Sequence, residues 1–179
     1  MSQSTNPTDI LCDHALRDLA KGNSKALSRL YRSYGKMIYA VAYQIVQNTS
    51  DAEDVLQDVM VQIVRGANGY QAGSNPRAWV MAITRHRAVD YLRHRVTVED
   101  IDLVSYRDSL LGSETERKDL FIKDALNTLN PDDALLIHLK LYVGLNHEEI
   151  AQTLGITAAA CRKRYERALD KLREYFQEN

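Results

Sequence analysis

Cysteine, histidine, carboxylate and arginine are the side chains whose spacing could do chemistry in this 179-residue chain. Several of their groupings exclude more than they suggest. Cys12 and His14 stand two apart with no further ligand nearby in sequence, and Cys161 lies at the opposite end. That gives no disulfide framework and no Cys-x-x-Cys pair for zinc or redox work. His147-Glu-Glu-Ile-Ala151 begins like a helical zinc-protease motif, but Ala151 stands where the second imidazole is required. No metal and no cofactor is therefore called for. Two groupings are positive. Residues 162–173 hold six Lys and Arg against only Glu166 and Asp170, the display of a helix that meets phosphates and base edges. Residues 66–95 set Tyr70 in a Gly/Asn-rich loop, then Trp79, then Arg85, His86, Arg87 and Arg93. Aromatic surfaces beside cations are what hold unstacked bases and their backbone.

The elements that must position these groups are helical. Only three Pro and eight Gly punctuate the chain. Leu27, Leu30, Tyr31, Tyr34, Ile38, Val41 and Ile45 recur at helical spacing and predict an amphipathic helix over 24–47. Tyr31, Tyr34 and Tyr39 belong to it as packing residues. Ser50 followed by Glu53 predicts a capping box for the next helix. That helix turns Ala52, Val55, Leu56, Val59, Met60, Ile63 and Val64 inward, and Asp54, Gln57, Asp58 and Gln62 outward. A loop over 66–76 leads to a helix over 77–95, on which Trp79, His86, Asp90 and Arg93 share one face. Residues 96–118 are acidic and aperiodic and read as a linker with a short helical turn around 103–111. Helical patterns resume with Leu120, Ile122, Ala125 and Leu126, are stopped by Asn130-Pro131, and restart over 132–142.

The C-terminal stretch has the parts of a helix-turn-helix: Ala151 at the crossing, Gly155 in the turn, Ile150, Leu154 and Ile156 buried, and Thr157 as cap. On its second helix Cys161, Tyr165, Ala168, Leu169 and Leu172 form the inward face, so Cys161 is a core residue rather than a reactive thiol. Lys163 and Arg167 point the opposite way, flanked by Arg162 and Arg173 on one side and Arg164 and Lys171 on the other. The small residues 158–160 let the helix approach a major groove.

Net charge is −1, unevenly placed: residues 1–95 carry 12 Lys/Arg against 8 Asp/Glu, residues 96–118 carry 3 against 6, and residues 119–179 carry 8 against 10. The apolar runs fall short of a membrane span and the N-terminus lacks a signal-peptide layout, so the expected location is the cytoplasm, without membrane insertion. The expected fold is all-α. Two small helical domains, 1–95 and 119–179, are joined by the acidic linker 96–118, and the second is a four-helix domain with the helix-turn-helix.

"DAEDVLQDVMVQIVR", "NPRAWVMAITRHRAVDYLR" and "LNHEEIAQTLGITAAACRKRYERALDKL", in that order, resemble the extracytoplasmic-function (ECF, group 4) sigma factors of bacterial RNA polymerase. The likeness spans about residues 20–95 and 119–176. It implies a non-catalytic specificity subunit whose partners are core polymerase, promoter DNA and an anti-sigma factor wrapped between the two domains, often membrane-anchored. Asp54, Gln57 and Asp58 would dock on the clamp of the largest polymerase subunit. Asn68, Tyr70, Ser74, Arg77, Trp79, Arg85, His86, Arg87 and Arg93 would capture the melted −10 element. Ala160, Arg162, Lys163, Arg164, Arg167 and Lys171 would read the −35 element as duplex. The acidic linker would thread toward the RNA path. The chain departs from the family at His86, where Asn is usual, and at Ala159-Ala160-Cys161, where Gly-Thr-Val is usual; −35 readout would then lean more on cations and DNA shape. The rival is an autonomous helix-turn-helix regulator that binds duplex DNA without polymerase.

Overall fold

A computed structural model describes residues 6–98, 122 and 124–178, and every element among them is helical. Helix α1 spans Pro7–Ala20, α2 Ala26–Val46, α3 Thr49–Gly66 and α4 Pro76–Val98. Then come α5 over Pro131–His138, a π-turn over Leu139–Val143, α6 over His147–Leu154 and α7 over Ala158–Glu178. The linker expected over 96–118 lies largely outside the described residues, as does its short helical turn. No helix among the described residues is long and apolar enough to cross a membrane.

Asparagine starts most of these helices, because its short amide oxygen reaches the free N–H groups of the first turn. Asn6 accepts from Thr8, Asn48 from Asp51, Asn130 from Asp133 and Asn146 from Glu149. Asn75 accepts from the backbone of Arg77 at 2.9 Å and of Ala78 at 3.2 Å, fixing the start of α4. Thr157 does the same for α7, accepting from Ala160 at 3.1 Å. The Ser50–Glu53 capping box is corrected: Ser50 lies inside α3, and Asn48 two residues earlier is the cap. A complete capping box occurs instead at Asn146 and Glu149.

The apolar stripes pack as their periodicity requires. Leu30, Tyr34, Ile38, Val41 and Ala42 of α2 meet Ala52, Val55, Val59 and Ile63 of α3, closed by Val80, Met81 and Ala88 of α4. Two residues depart from expectation. Tyr31 is exposed, lying beside Gly35, and Val64 is exposed at the end of α3. The C-terminal half has its own small cluster of Ala125, Leu129, Ala134, Ile137, Ala168 and Leu172. Its remaining buried apolar residues, among them Leu135, Leu136, Leu139, Leu145, Ile150 and Cys161, join the N-terminal cluster. The larger core therefore spans both halves.

Replacing Asn48 by Ala removes the acceptor of the first turn of α3 and should lower unfolding free energy by about 1 kcal/mol in a denaturant titration. Ser50→Ala should change it by less than about 0.5 kcal/mol. Equal losses for both would restore the capping box that the sequence pattern predicts.

Candidate nucleic-acid interface

Three surfaces carry the candidate residues. The first is the outer face of α3. Asp54, Gln57 and Asp58 are all exposed there, at i, i+3 and i+4, so one partner surface can meet them together. Val61 and Val64 continue that stripe as exposed apolar residues. Val61 falls off the inward stripe in the sequence, whereas Val64 is expected on it and is exposed instead.

The second surface is the start and outer face of α4, and it is smaller than expected. Tyr70 is only 8% exposed. Its hydroxyl donates to Asp13 at 2.7 Å and to the Ser74 carbonyl at 3.1 Å, and its ring meets Trp79 edge-on at 5.4 Å. Trp79 in turn lies against Gly66. Tyr70 is held in packing rather than displayed as a platform for bases, and Trp79 is half-buried against the core. Arg77 is corrected as well. Its guanidinium, 13% exposed, makes three hydrogen bonds of 2.9–3.1 Å to Asp9 and one of 2.7 Å to the Val143 carbonyl. Four hydrogen bonds thus hold this guanidinium inside the fold. Arg85 is half-buried and Arg87 pairs with Asp58 at 3.0 Å, which ties the −10 candidates to the α3 surface. The exposed candidates are Asn68, Ser74, His86 and Arg93. His86 Nε2 lies 3.2 Å from Asp90, whose other oxygen is 3.8 Å from Arg93.

Asp9 and Asp13 were missed in the sequence. They sit on the inner side of α1 and hold the 70–77 segment from beneath. Their signal was Asn6-Pro7, a cap followed by proline at the first helical position, with two carboxylates one turn apart at the core face. Asp13 accepts from Tyr70, from the Gly73 backbone N–H at 2.8 Å and from Arg17 at 2.8 Å. Burial raises its carboxyl, but the Gly73 and Tyr70 hydrogen bonds and the Arg17 charge outweigh it, and its pKa falls below the ordinary 3.8. Tyr34 donates to Asp9 at 2.6 Å, and burial with that bond pushes its phenol far up.

The third surface is α7. Cys161, Ala168 and Leu172 are buried, while Ala160, Arg162, Lys163, Arg167 and Lys171 are exposed. The helix thus presents a cationic row to solvent. Arg162 leans on Glu148 at 3.0 Å, an exposed pair worth little. Arg164 is corrected: it is 22% exposed and bonds Asp133 at 2.7 Å, bracing α7 on α5 rather than facing outward. Burial pushes the thiols of Cys12 and Cys161 up, away from reactivity. A groove between α2 and α3 is lined by Tyr31, Arg32, Lys36, Tyr39 and Gln57, with Tyr142 contributed by the C-terminal half.

Comparison with known proteins places these surfaces in context. The model of sigma-70 region 2 matches residues 30–97, and that of sigma-70 region 4 matches residues 125–174. The chain is 30% identical to the ECF RNA polymerase sigma factor SigE of Mycolicibacterium smegmatis, covering 97% of this chain and 71% of that one. It is 28% identical to the RNA polymerase sigma factor CarQ of Myxococcus xanthus, covering 86% and 90%. Among solved structures, CnrH in complex with the cytosolic domain of CnrY superposes with a TM-score of 0.73 at 21% identity, covering 94% of this chain and 99% of that one. The sigma factor RpoE in complex with the anti-sigma factor NepR, from Bartonella quintana, gives 0.68 at 25%, covering 86% and 98%.

Asp13 has its carboxyl depressed in the folded state, so its stabilisation is present above the ordinary pKa and is lost as pH falls through the folded one. Denaturant titrations from pH 6 to pH 2 should show the native protein losing stability from about pH 4 downward. Asp13→Asn should be less stable near neutrality and flatter across that acid window. An acid limb equally steep in the variant would remove Asp13 as its source.

Proposed function

We propose a division of labour within this chain, which belongs to the ECF family of RNA polymerase sigma factors. It is a promoter-specificity subunit of RNA polymerase. Residues 1–95 act as the unit that binds core polymerase and the opened −10 strand, and residues 119–179 as the unit that reads the −35 duplex. The chain performs no chemistry and works in the cytoplasm. Strand opening is favoured because the opened state is bound better than the duplex.

Within the first unit, Asp54, Gln57 and Asp58 dock on polymerase, with Val61 and Val64 adding an apolar contact. Asn68, Ser74, His86 and Arg93 face the melted strand, with Arg85 and Arg87 behind them. Within the second, Ala160, Arg162, Lys163, Arg167 and Lys171 approach the major groove. The observation that carries this reading is the cationic row of α7, turned to solvent while the opposite side of the same helix is buried. An autonomous regulator is not favoured, because it has no use for the region 2 match.

An anti-sigma factor completes the set of partners. Two solved relatives are complexes, one with an anti-sigma factor and one with the cytosolic domain of CnrY. The groove between α2 and α3 suits such a partner because Gln57 lines it as well as the polymerase-facing stripe. An occupant there would compete directly with polymerase.

Asp54→Ala with Asp58→Ala should abolish co-elution with core polymerase while leaving the helical circular-dichroism signal and melting temperature close to the parent. Retained binding at parental affinity would refute the docking assignment. Arg167→Ala should weaken the −35-dependent footprint of the reconstituted holoenzyme by roughly tenfold. An unchanged footprint would place Arg167 outside the DNA interface.

A further inference from the structure

The turn that leads into α4 is held from a helix outside the strand-facing surface. Residues 71–74 are all exposed, and the Ser74 N–H closes their turn by donating to the Gln71 carbonyl at 3.0 Å. Gly73 sits in that turn at φ +79°, a left-handed conformation that suits glycine. Its backbone N–H donates to Asp13 Oδ1 on α1 at 2.8 Å. The same oxygen accepts from the Tyr70 hydroxyl at 2.7 Å, and that hydroxyl lies 3.1 Å from the Ser74 carbonyl. The second oxygen, Oδ2, faces Arg17 at 2.8 Å. The two oxygens of one carboxylate thus have separate tasks. One grips the turn, and the other meets a cation on α1 itself.

This division matters for binding. A turn free to take many shapes must be ordered when a strand settles on it, and that cost is subtracted from affinity. A turn already tied in one shape loses little. Asp13 supplies two of the ties, to Gly73 and to Tyr70, from 57 and more residues away in sequence. Asp13 is itself buried beneath the turn. Removing Oδ1 would leave the Gly73 N–H without this acceptor, and the hydroxyl of the buried Tyr70 without its shorter contact.

We propose that Asp13 is a positioning residue for promoter opening: through Gly73 and Tyr70 it sets the 71–74 turn in the shape that receives the unpaired −10 strand. It acts without touching DNA. It also extends the −10 apparatus to α1, which lies before the residues 30–97 matched as region 2. The proposal rests on the reading above that Asn68, Ser74 and the outer face of α4 meet the melted strand.

The two oxygens allow a test with its own rescue. Asp13→Ala removes both, whereas Asp13→Asn keeps Oδ1 for the turn and gives up only the charge opposite Arg17. Tyr70→Phe removes the hydroxyl and keeps the ring. The probe is a fluorescent single-stranded oligonucleotide carrying the non-template −10 strand of a promoter that the reconstituted holoenzyme transcribes. Holoenzyme affinity for it should fall roughly tenfold with Asp13→Ala, and in the same direction with Tyr70→Phe. Affinity for core polymerase and the −35 footprint should stay parental. Asp13→Asn should hold strand affinity within about twofold of the parent, although the lost charge pair lowers its stability. A purely structural role would instead make every readout follow stability.

The proposal is overturned by a folded Asp13→Ala protein with parental strand affinity, by an Asp13→Asn protein as weak as Asp13→Ala, or by equal losses in all three readouts. Should Asp13→Ala not fold, Tyr70→Phe decides, and parental strand affinity there overturns it. Asn68→Ala with Ser74→Ala probes the underlying reading separately. Loss of strand affinity in that pair with none in Asp13→Ala removes the positioning role alone. No loss in the pair removes the strand contact, and the positioning role with it.

Discussion

A guanidinium taken out of water must be answered by acceptors, and the architecture is arranged around one that makes four hydrogen bonds. Arg77 faces Asp9 through Nε and Nη2 and the Val143 carbonyl through Nη1, while Asp9 also receives the hydroxyl of the fully buried Tyr34. Desolvating each ion costs several kcal/mol, and only full hydrogen bonding on both partners offsets that. The requirement fixes four elements against one another: α1 through Asp9, α2 through Tyr34, α4 through Arg77 and the π-turn through Val143. It also explains why Arg77, at the start of α4, is spent on structure. Asp13 repeats the arrangement one turn along α1, organising Tyr70, Gly73 and Arg17 into the floor beneath the 70–75 loop.

Above that frame, function is left to side chains with weak partners. The stripe on α3 is acidic at its start and apolar toward its end, and the row on α7 is cationic, so the two surfaces suit opposite partners. A chain of net charge −1 offers few cations to any one phosphate track and holds duplex DNA weakly by itself. Affinity has to come from polymerase, which gathers the two ends onto one promoter. The Arg87–Asp58 pair, 3.0 Å apart, joins α4 to the outer face of α3.

The apolar periodicity of α2, α3 and α7 made the helices and most of the core legible in the sequence, and Thr157, Ala151 and Gly155 marked the turn between α6 and α7. Legibility failed where a polar residue had two possible partners. Ser50 and Asn48 both offer an oxygen to the first turn of α3, and only the backbone decides that Asn48 is in reach. Tyr70 in a Gly/Asn-rich loop looks like an exposed aromatic until Asp13, 57 residues earlier, is seen to meet its hydroxyl. Arg164 and Arg167 are indistinguishable by composition, yet Asp133 draws one inward while the other stays exposed. Long-range pairing is the common cause. The acidic stretch 96–118, read in sequence as a linker, lies outside the described residues from position 99 onward.

Promoter-selective initiation by core RNA polymerase supplied with this chain alone is the most direct test. Run-off transcription on a library of promoter sequences should yield transcripts from a subset defined jointly at −10 and −35, and none from core polymerase without it. Transcription that is equally silent with and without the chain, or that ignores the upstream element, would contradict the account.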